Sequence, residues 1–196
     1  MIVIMENDRF KNVDKYHTLE KITQGKFGDH NFILYSDITT LSYIYSKYSK
    51  SSLESLNEIV LILPHYQLVA DVLNNLANNG IDMEKCKREG SIIIIESKKG
   101  YYGLTDEFVG IMIMTKMLLR RANKLGKTGV TVISDMGLFF HLNRIEDLIK
   151  YEIGLSSSIY NMKVKVLCSY NKTDFERLTE DRKQHLLKHH NKIFLT

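Results

Sequence analysis

Gly28-Asp29-His30-Asn31-Phe32-Ile33-Leu34-Tyr35-Ser36-Asp37 is the stretch on which the fold turns. Residues 31–35 are aromatic and aliphatic after Asn31, with no Pro or Gly among them, the pattern of a short buried strand. Tyr35-Ser36-Asp37 leads directly into a helical pattern. In an open α/β sheet this is the first strand-to-helix turn, where ligands bind. A phosphate-binding version of the turn carries a Gly-rich loop ending in Lys-Ser or Lys-Thr. No glycine occurs from Asn31 to Ser52, and the first lysine in that span is Lys47. The position suits a ligand, but the machinery for nucleotide phosphates is missing.

Outward from this strand, the pattern repeats. Ile38, Leu41, Ile44, Tyr45 and Tyr48 form a helical stripe. Residues 59–63 read as a second strand, closed by Pro64 and followed by His65. Leu68, Val69, Val72, Leu73 and Leu76 form the next stripe, which ends at Gly80. Ser91-Ile92-Ile93-Ile94-Ile95-Glu96 has four consecutive β-branched residues, which predicts a strand buried on both faces. Thr105 is placed to cap a long apolar helix. Val130-Thr131-Val132-Ile133 is a further strand, ending at Ser134-Asp135. A helix is predicted over residues 145–160, a strand over 164–170, a helix to about His189, and a last edge strand over 192–196.

Strands alternating with helices predict βαβ units, a mostly parallel central sheet and helices on both faces: a three-layer α/β fold. The chain has 196 residues, enough for one sizeable core. Residues 28–196 are read as a single α/β domain. Residues 1–27 are read as an N-terminal extension with a lead-in helix, from the recurrence of Phe10, Val13, Tyr16 and Leu19.

No apolar run approaches the roughly twenty residues of a membrane helix, and the N-terminal apolar run is too short for a signal peptide. A cytoplasmic location with no membrane contact is expected. The net charge of +4 is mild and interspersed, so direct nucleic-acid binding is not expected. Cys86 and Cys168 are far apart and read as free thiols.

Right-handed crossovers place the carboxyl ends of parallel strands on one rim. That rim supplies the candidate ligand-binding residues: Tyr35, Asp37, His65, Glu96, Asp135 and Tyr170. No catalytic residue, metal ligand or cofactor is assigned. His30 precedes the first strand at its amino end and reads as an anchor rather than a base. Cys168 reads as a small hydrophobe within a strand. Glu152 is a carboxylate on the apolar stripe Leu148, Tyr151, Leu155 and Ile159, and needs a partner if buried. His185 and His189 have zinc-like spacing, but no Glu stands between them and no Cys is near, so solvated side chains are the simpler reading.

Several of these segments together resemble the MEDS domain, the sensory domain of methanogen, methylotroph and DcmR-type proteins. The matching residues are Gly28-Asp29-His30 through Tyr35, Ile92 to Ile95 with Tyr101 or Tyr102, Ser134-Asp135-Met136, and Tyr151-Glu152. They continue with Cys168-Ser169-Tyr170, Phe175, and a closing His at His189 or His190. Asp135 stands where the family has Glu, Asn171 where it has Asp, and no Pro follows the closing His. The resemblance implies a RecA/KaiC-like fold without a phosphate loop. It also implies a non-catalytic sensory or regulatory module, binding a small molecule such as a hydrocarbon derivative. The output would be a regulatory protein partner, a kinase or a transcription factor; homo-oligomerisation is left open. The rival readings are a RecA/KaiC-type nucleotide-binding ATPase, a metal-dependent enzyme using His185 and His189, and an assembly module without a pocket.

Overall fold

The computed structural model of the protein describes residues 2–4, 11–13, 22–102 and 110–195. Its centre is a sheet of eight strands in the order β2-β1-β8-β3-β7-β6-β4-β5. The strands are β1 (Ile2–Ile4), β2 (Lys11–Val13), β3 (His30–Tyr35) and β4 (Ile59–Leu63). They continue with β5 (Ile92–Ile94), β6 (Val130–Asp135), β7 (Val164–Asn171) and β8 (Lys192–Leu195). From β8 through β5 every pairing is parallel. β1 joins β8 antiparallel, and β2 joins β1 antiparallel. The mostly parallel α/β sheet expected from the alternating pattern is present.

Side chains alternate across the pleat, and the two faces build two cores. One face carries Phe32, Leu61, Val132, Val166, Cys168 and Tyr170. Helices α5 (Gly110–Lys124), α6 (Gly137–His141) and α7 (Ile145–Ile159) cover it. The other face carries Ile33, Tyr35, Val60, Ile62, Ile133 and Leu167. It is covered by α1 (Ile38–Lys50), α2 (Val69–Asn78) and α3 (Met83–Glu89). The short helices α4 (Ser97–Tyr102) and α8 (Lys172–Glu176) follow β5 and β7, and α9 (Glu180–Lys188) leads into β8. Every residue of β4 is buried, and each such side chain contributes roughly 1.5–3 kcal/mol relative to exposure.

Some expectations change. Lys11–Val13 is a strand, so the lead-in helix drawn through Phe10, Val13, Tyr16 and Leu19 does not hold at Val13. Phe10, Tyr16 and Leu19 lie outside the described residues, as does Thr105. Three-residue spacing over so short a span is weak evidence, and pairing along β1 decides the conformation of Lys11–Val13. Ile92–Ile94 is only partly buried because β5 is the outermost strand, with β4 as its single neighbour. The last strand is internal rather than an edge, since β8 lies between β1 and β3.

The amino end of the sheet holds a buried ion pair. Lys165 Nζ lies 3.1 Å from Glu58, with both side chains almost fully enclosed. Thr131 Oγ1 donates to the same carboxylate, and the ammonium sits 5.4 Å from the Tyr48 ring centroid. Removing one member leaves the other charge buried and unpaired, at a cost of about 3–5 kcal/mol. Replacing both with apolar groups avoids that cost. Glu58→Leu is therefore expected to lose about 3–5 kcal/mol of unfolding free energy in urea titrations, with most of it recovered in Glu58→Leu/Lys165→Met. A single variant as stable as the double would count against the pair.

Candidate functional site

β3 begins at His30, and β7 runs beside it with Phe32 next to Cys168 and Leu34 next to Tyr170. The alternation therefore puts His30, Cys168 and Tyr170 on one face. Helix α7 lies on that face and inserts Glu152, which has no exposed surface. His190 arrives on the turn after α9. That turn is tied to β3 by Asn191 N–H to His30 O at 2.6 Å and His30 N–H to Asn191 Oδ1 at 2.6 Å.

These side chains converge on the Glu152 carboxylate. His30 Nε2 is 2.7 Å from Glu152 Oε2, and His190 Nε2 is 3.5 Å from the same oxygen. Cys168 Sγ lies 3.8 Å from it and 3.4 Å from His30 Nε2. The Tyr170 hydroxyl donates to Glu152 Oε1. His30 Nδ1 meets the His189 carbonyl at 2.9 Å, and His190 Nδ1 meets the Leu186 carbonyl at 2.7 Å. A carbonyl oxygen only accepts, so each Nδ1 carries a proton and each Nε2 faces the carboxylate.

The electrostatics follow from enclosure. Burial by itself pushes the Glu152 carboxyl up. The imidazoles of His190 and His30 and the Tyr170 hydroxyl more than reverse this, holding it down at about 2. Burial pushes His190 down to about 4. Burial and the neighbouring carboxylate push the Cys168 thiol well above its ordinary range. At neutral pH the cluster therefore holds a carboxylate, a neutral His190 and a protonated, enclosed thiol. Such a thiol is a poor nucleophile, and the arrangement suits holding a proton or a cation.

A second polar group occupies the carboxyl rim, on the opposite face of the sheet. Asp135 ends β6, accepting from Gly137 N–H at 3.0 Å, the Tyr35 hydroxyl at 3.2 Å and Tyr66 N–H at 3.5 Å. The Tyr66 hydroxyl donates to Asp174. The Tyr66 ring lies against Gly137, where a Cβ would come within 2.3 Å of it. Below is a small cavity of about 10 Å³, lined by apolar residues such as Leu41, Tyr45 and Ile62 with Gln67, Asp135 and Ser169 as polar groups. That is about one water molecule's worth of room.

Of the six residues assigned to the rim from sequence, Tyr35 and Asp135 are hydrogen-bonded to each other. His65 adjoins them through its ring contact with Tyr66 and meets Ser97 Oγ at 3.2 Å. Asp37 caps α1, accepting from Thr40 N–H at 2.8 Å. Glu96 is exposed and pairs with Lys99 at 3.2 Å. Tyr170 belongs to the Glu152 cluster. His185 is exposed beside Asp181, while His189 contributes only its carbonyl to His30. His30, Glu152, Cys168 and His190 were not assigned to any site from sequence, although each lies in a segment that carries the family resemblance.

Burial pushes the Asp135 carboxyl up to about 6, against the opposing hydrogen bonds from Gly137, Tyr66 and Tyr35. A carboxyl raised on folding binds more protons in the native state than in the unfolded chain. Its contribution therefore favours the fold below pH 4 and is lost as pH rises through 6. Removing the charge with Asp135→Asn should improve stability relative to wild type by about 1–3 kcal/mol more at pH 7 than at pH 4. Denaturant titrations at both pH values check this, and a difference that does not change with pH would refute it.

The chain matches the MEDS family, described as the methanogen/methylotroph, DcmR sensory domain, over residues 29–191. A comparison with curated protein sequences finds no match. Among solved structures it is similar to a KaiC-like protein from the hyperthermophilic archaeon Pyrococcus horikoshii OT3. That similarity has a TM-score of 0.59 at 14% identity, covering 86% of this chain and 72% of the other. At that identity the likeness speaks for the fold. The family's motifs meet in space here: the His of Gly-Asp-His, the Glu of Tyr-Glu, the Cys and Tyr of Cys-x-Tyr, and the closing His190 form one buried cluster. The chain belongs to the MEDS family of sensory domains, built on a KaiC-like α/β sheet whose first parallel strand runs into its helix through Tyr35-Ser36-Asp37, without a glycine.

Proposed function

We propose that this domain binds a small, weakly polar organic molecule at the carboxyl rim and reports its presence to a partner protein, without catalysis. The observation that carries the reading is the first strand-to-helix turn. There Asp37 holds Thr40 N–H at 2.8 Å and Thr40 Oγ1 at 2.9 Å. A carboxylate thus sits on the helix N-terminus that would otherwise receive a phosphate. The small cavity beside it is lined mostly by apolar residues, with Asp135, Gln67, Ser169 and the Tyr45 hydroxyl as its polar groups. That chemistry favours a molecule of one to a few carbons bearing a single polar atom, in keeping with the hydrocarbon derivatives that the family resemblance implies. A larger ligand requires Tyr66 to swing away from Gly137.

Tyr66 and Leu68 stand 42% and 72% exposed on the connection that closes the rim. Movement of this connection changes the apolar surface offered to a kinase or transcriptional partner. A ligand acts by binding the open and closed arrangements unequally.

The test is an amide NMR titration of the full chain with methanol, ethanol and dichloromethane. At ten times its Kd, a true ligand also stabilises the fold by about 1.4 kcal/mol. Shifts centred on Tyr35, Tyr66 and Asp135 are expected with at least one of these, and at least tenfold weaker binding in Tyr35→Phe. Calorimetry with magnesium-ATP should show no binding. Micromolar nucleotide binding lost in Asp135→Ala, or no response to any of the organic probes, would sink the proposal.

A further inference from the structure

We propose that His30, His190, Glu152 and Cys168 form a binding site for one divalent transition-metal cation of the zinc class. The site goes beyond the sensory reading, because it lies on the other face of the sheet from the rim. Its four donor atoms all lie within 4.8 Å of one another. Two imidazole nitrogens, a carboxylate oxygen and a sulfur form a donor set that such cations take in tetrahedral geometry.

The spacing fits. A tetrahedral zinc site separates nitrogen and oxygen donors by about 3.3 Å, and either from sulfur by about 3.6 Å, given its usual bond lengths. Here His190 Nε2 to Glu152 Oε2 is 3.5 Å, His30 Nε2 to Cys168 Sγ is 3.4 Å, and Cys168 Sγ to Glu152 Oε2 is 3.8 Å. The contact that departs most is His30 Nε2 to Glu152 Oε2, at 2.7 Å. It opens by a few tenths of an ångström when a cation enters.

The surrounding shell also fits. Each histidine donates Nδ1–H to a backbone carbonyl, which fixes the tautomer that presents the Nε2 lone pair inward. The second oxygen of Glu152 is held by Tyr170. The donors come from β3, α7, β7 and the turn after α9, so none depends on a single mobile loop.

His190 Nε2 is buried without a hydrogen-bond partner. Its lone pair points at a carboxylate oxygen that the His30 Nε2 also faces, so three acceptors share one point. The His190 lone pair and the carboxylate oxygen face each other at 3.5 Å with nothing between. A cation bonded to both resolves that conflict, and the Cys168 thiol, giving up its proton on ligation, completes the set.

The test uses the full chain, purified without chelators. Elemental analysis should find about one equivalent of zinc or another late first-row metal. After exchange for cobalt(II), the spectrum should show the intense d–d bands of a tetrahedral site and a thiolate-to-cobalt charge-transfer band. Cys168→Ser should abolish the charge-transfer band and weaken cobalt binding at least tenfold. His190→Gln should weaken it similarly, while His185→Ala should change nothing. The wild-type protein decides the matter even if a variant misfolds. A folded wild-type chain that carries no transition metal and develops no cobalt bands overturns the site, as does a charge-transfer band surviving in Cys168→Ser. The organic probes of the rim are read by NMR in the same protein, so loss of one site is distinguishable from loss of the other.

Discussion

The Glu152 carboxylate, fully enclosed between the sheet and α7, is the constraint to which the rest of this domain answers. Removing a carboxylate from water costs several kilocalories per mole even after relaxation, unless charge and hydrogen bonds replace the solvent. Here the replacement comes from residues far apart in sequence. His30 opens β3, Tyr170 lies near the end of β7, and His190 stands on the turn before β8. Glu152 is accommodated only when these three segments are adjacent, in the register that sets Leu34 beside Tyr170. The same residue that would be a liability in an ordinary core therefore selects one arrangement of the central strands. The proposed cation would add a direct bond to each of these segments, reaching β7 through Cys168 while Tyr170 holds the remaining oxygen.

The second constraint is the turn after β3. A KaiC-like sheet normally offers a helix N-terminus to phosphate through glycine backbone. Here the three residues Tyr35, Ser36 and Asp37 leave no such loop, and Asp37 satisfies the first amides of α1 with its own carboxylate. The negative end of a phosphate would meet a negative side chain. With no such loop, the Tyr35 hydroxyl and the Tyr66 amide both reach the Asp135 carboxylate, which lines the cavity.

How much of this was legible in the sequence differs between fold and site. The alternation of apolar runs and amphipathic stripes was enough to predict a mostly parallel sheet and the position of each central strand. It misplaced Ile92–Ile94 as a strand buried on both faces, because a β-branched run does not reveal how many neighbours the strand has. The rim was located by strand ends, but strand ends do not specify a face. Tyr35 and Tyr170 both close strands, yet Leu34 and not Tyr35 is the neighbour of Tyr170. One residue of parity sends Tyr170 to Glu152 and Tyr35 to Asp135. Asp37 and Glu96 lie at the right ends but are taken up by a helix cap and an exposed ion pair. The buried cluster was illegible from local pattern because each member has an ordinary reading alone. Only the Glu on an apolar stripe signalled the need for a partner, and the fold, not the local pattern, supplies His30, His190 and Tyr170.

The two polar centres are closer than their positions on opposite faces suggest. Ser134 pairs with Cys168, and Asp135 pairs with Ser169, one step further along the same two strands. Asp135 and Ser169 line the rim cavity, while Cys168 reaches the Glu152 cluster through the sheet's other face. A displacement of β7 relative to β6 thus alters both centres at once, since adjacent residues of a pleated strand are covalently fixed to opposite sides. The sheet interior is close-packed and does not absorb such a shift locally. Under the proposed reading, a ligand that parts Tyr66 from Asp135 would act on the strand end whose preceding residue, Ser134, pairs with Cys168. Coupling between the proposed rim site and the buried cluster would then need no long pathway, only the stiffness of two paired strands.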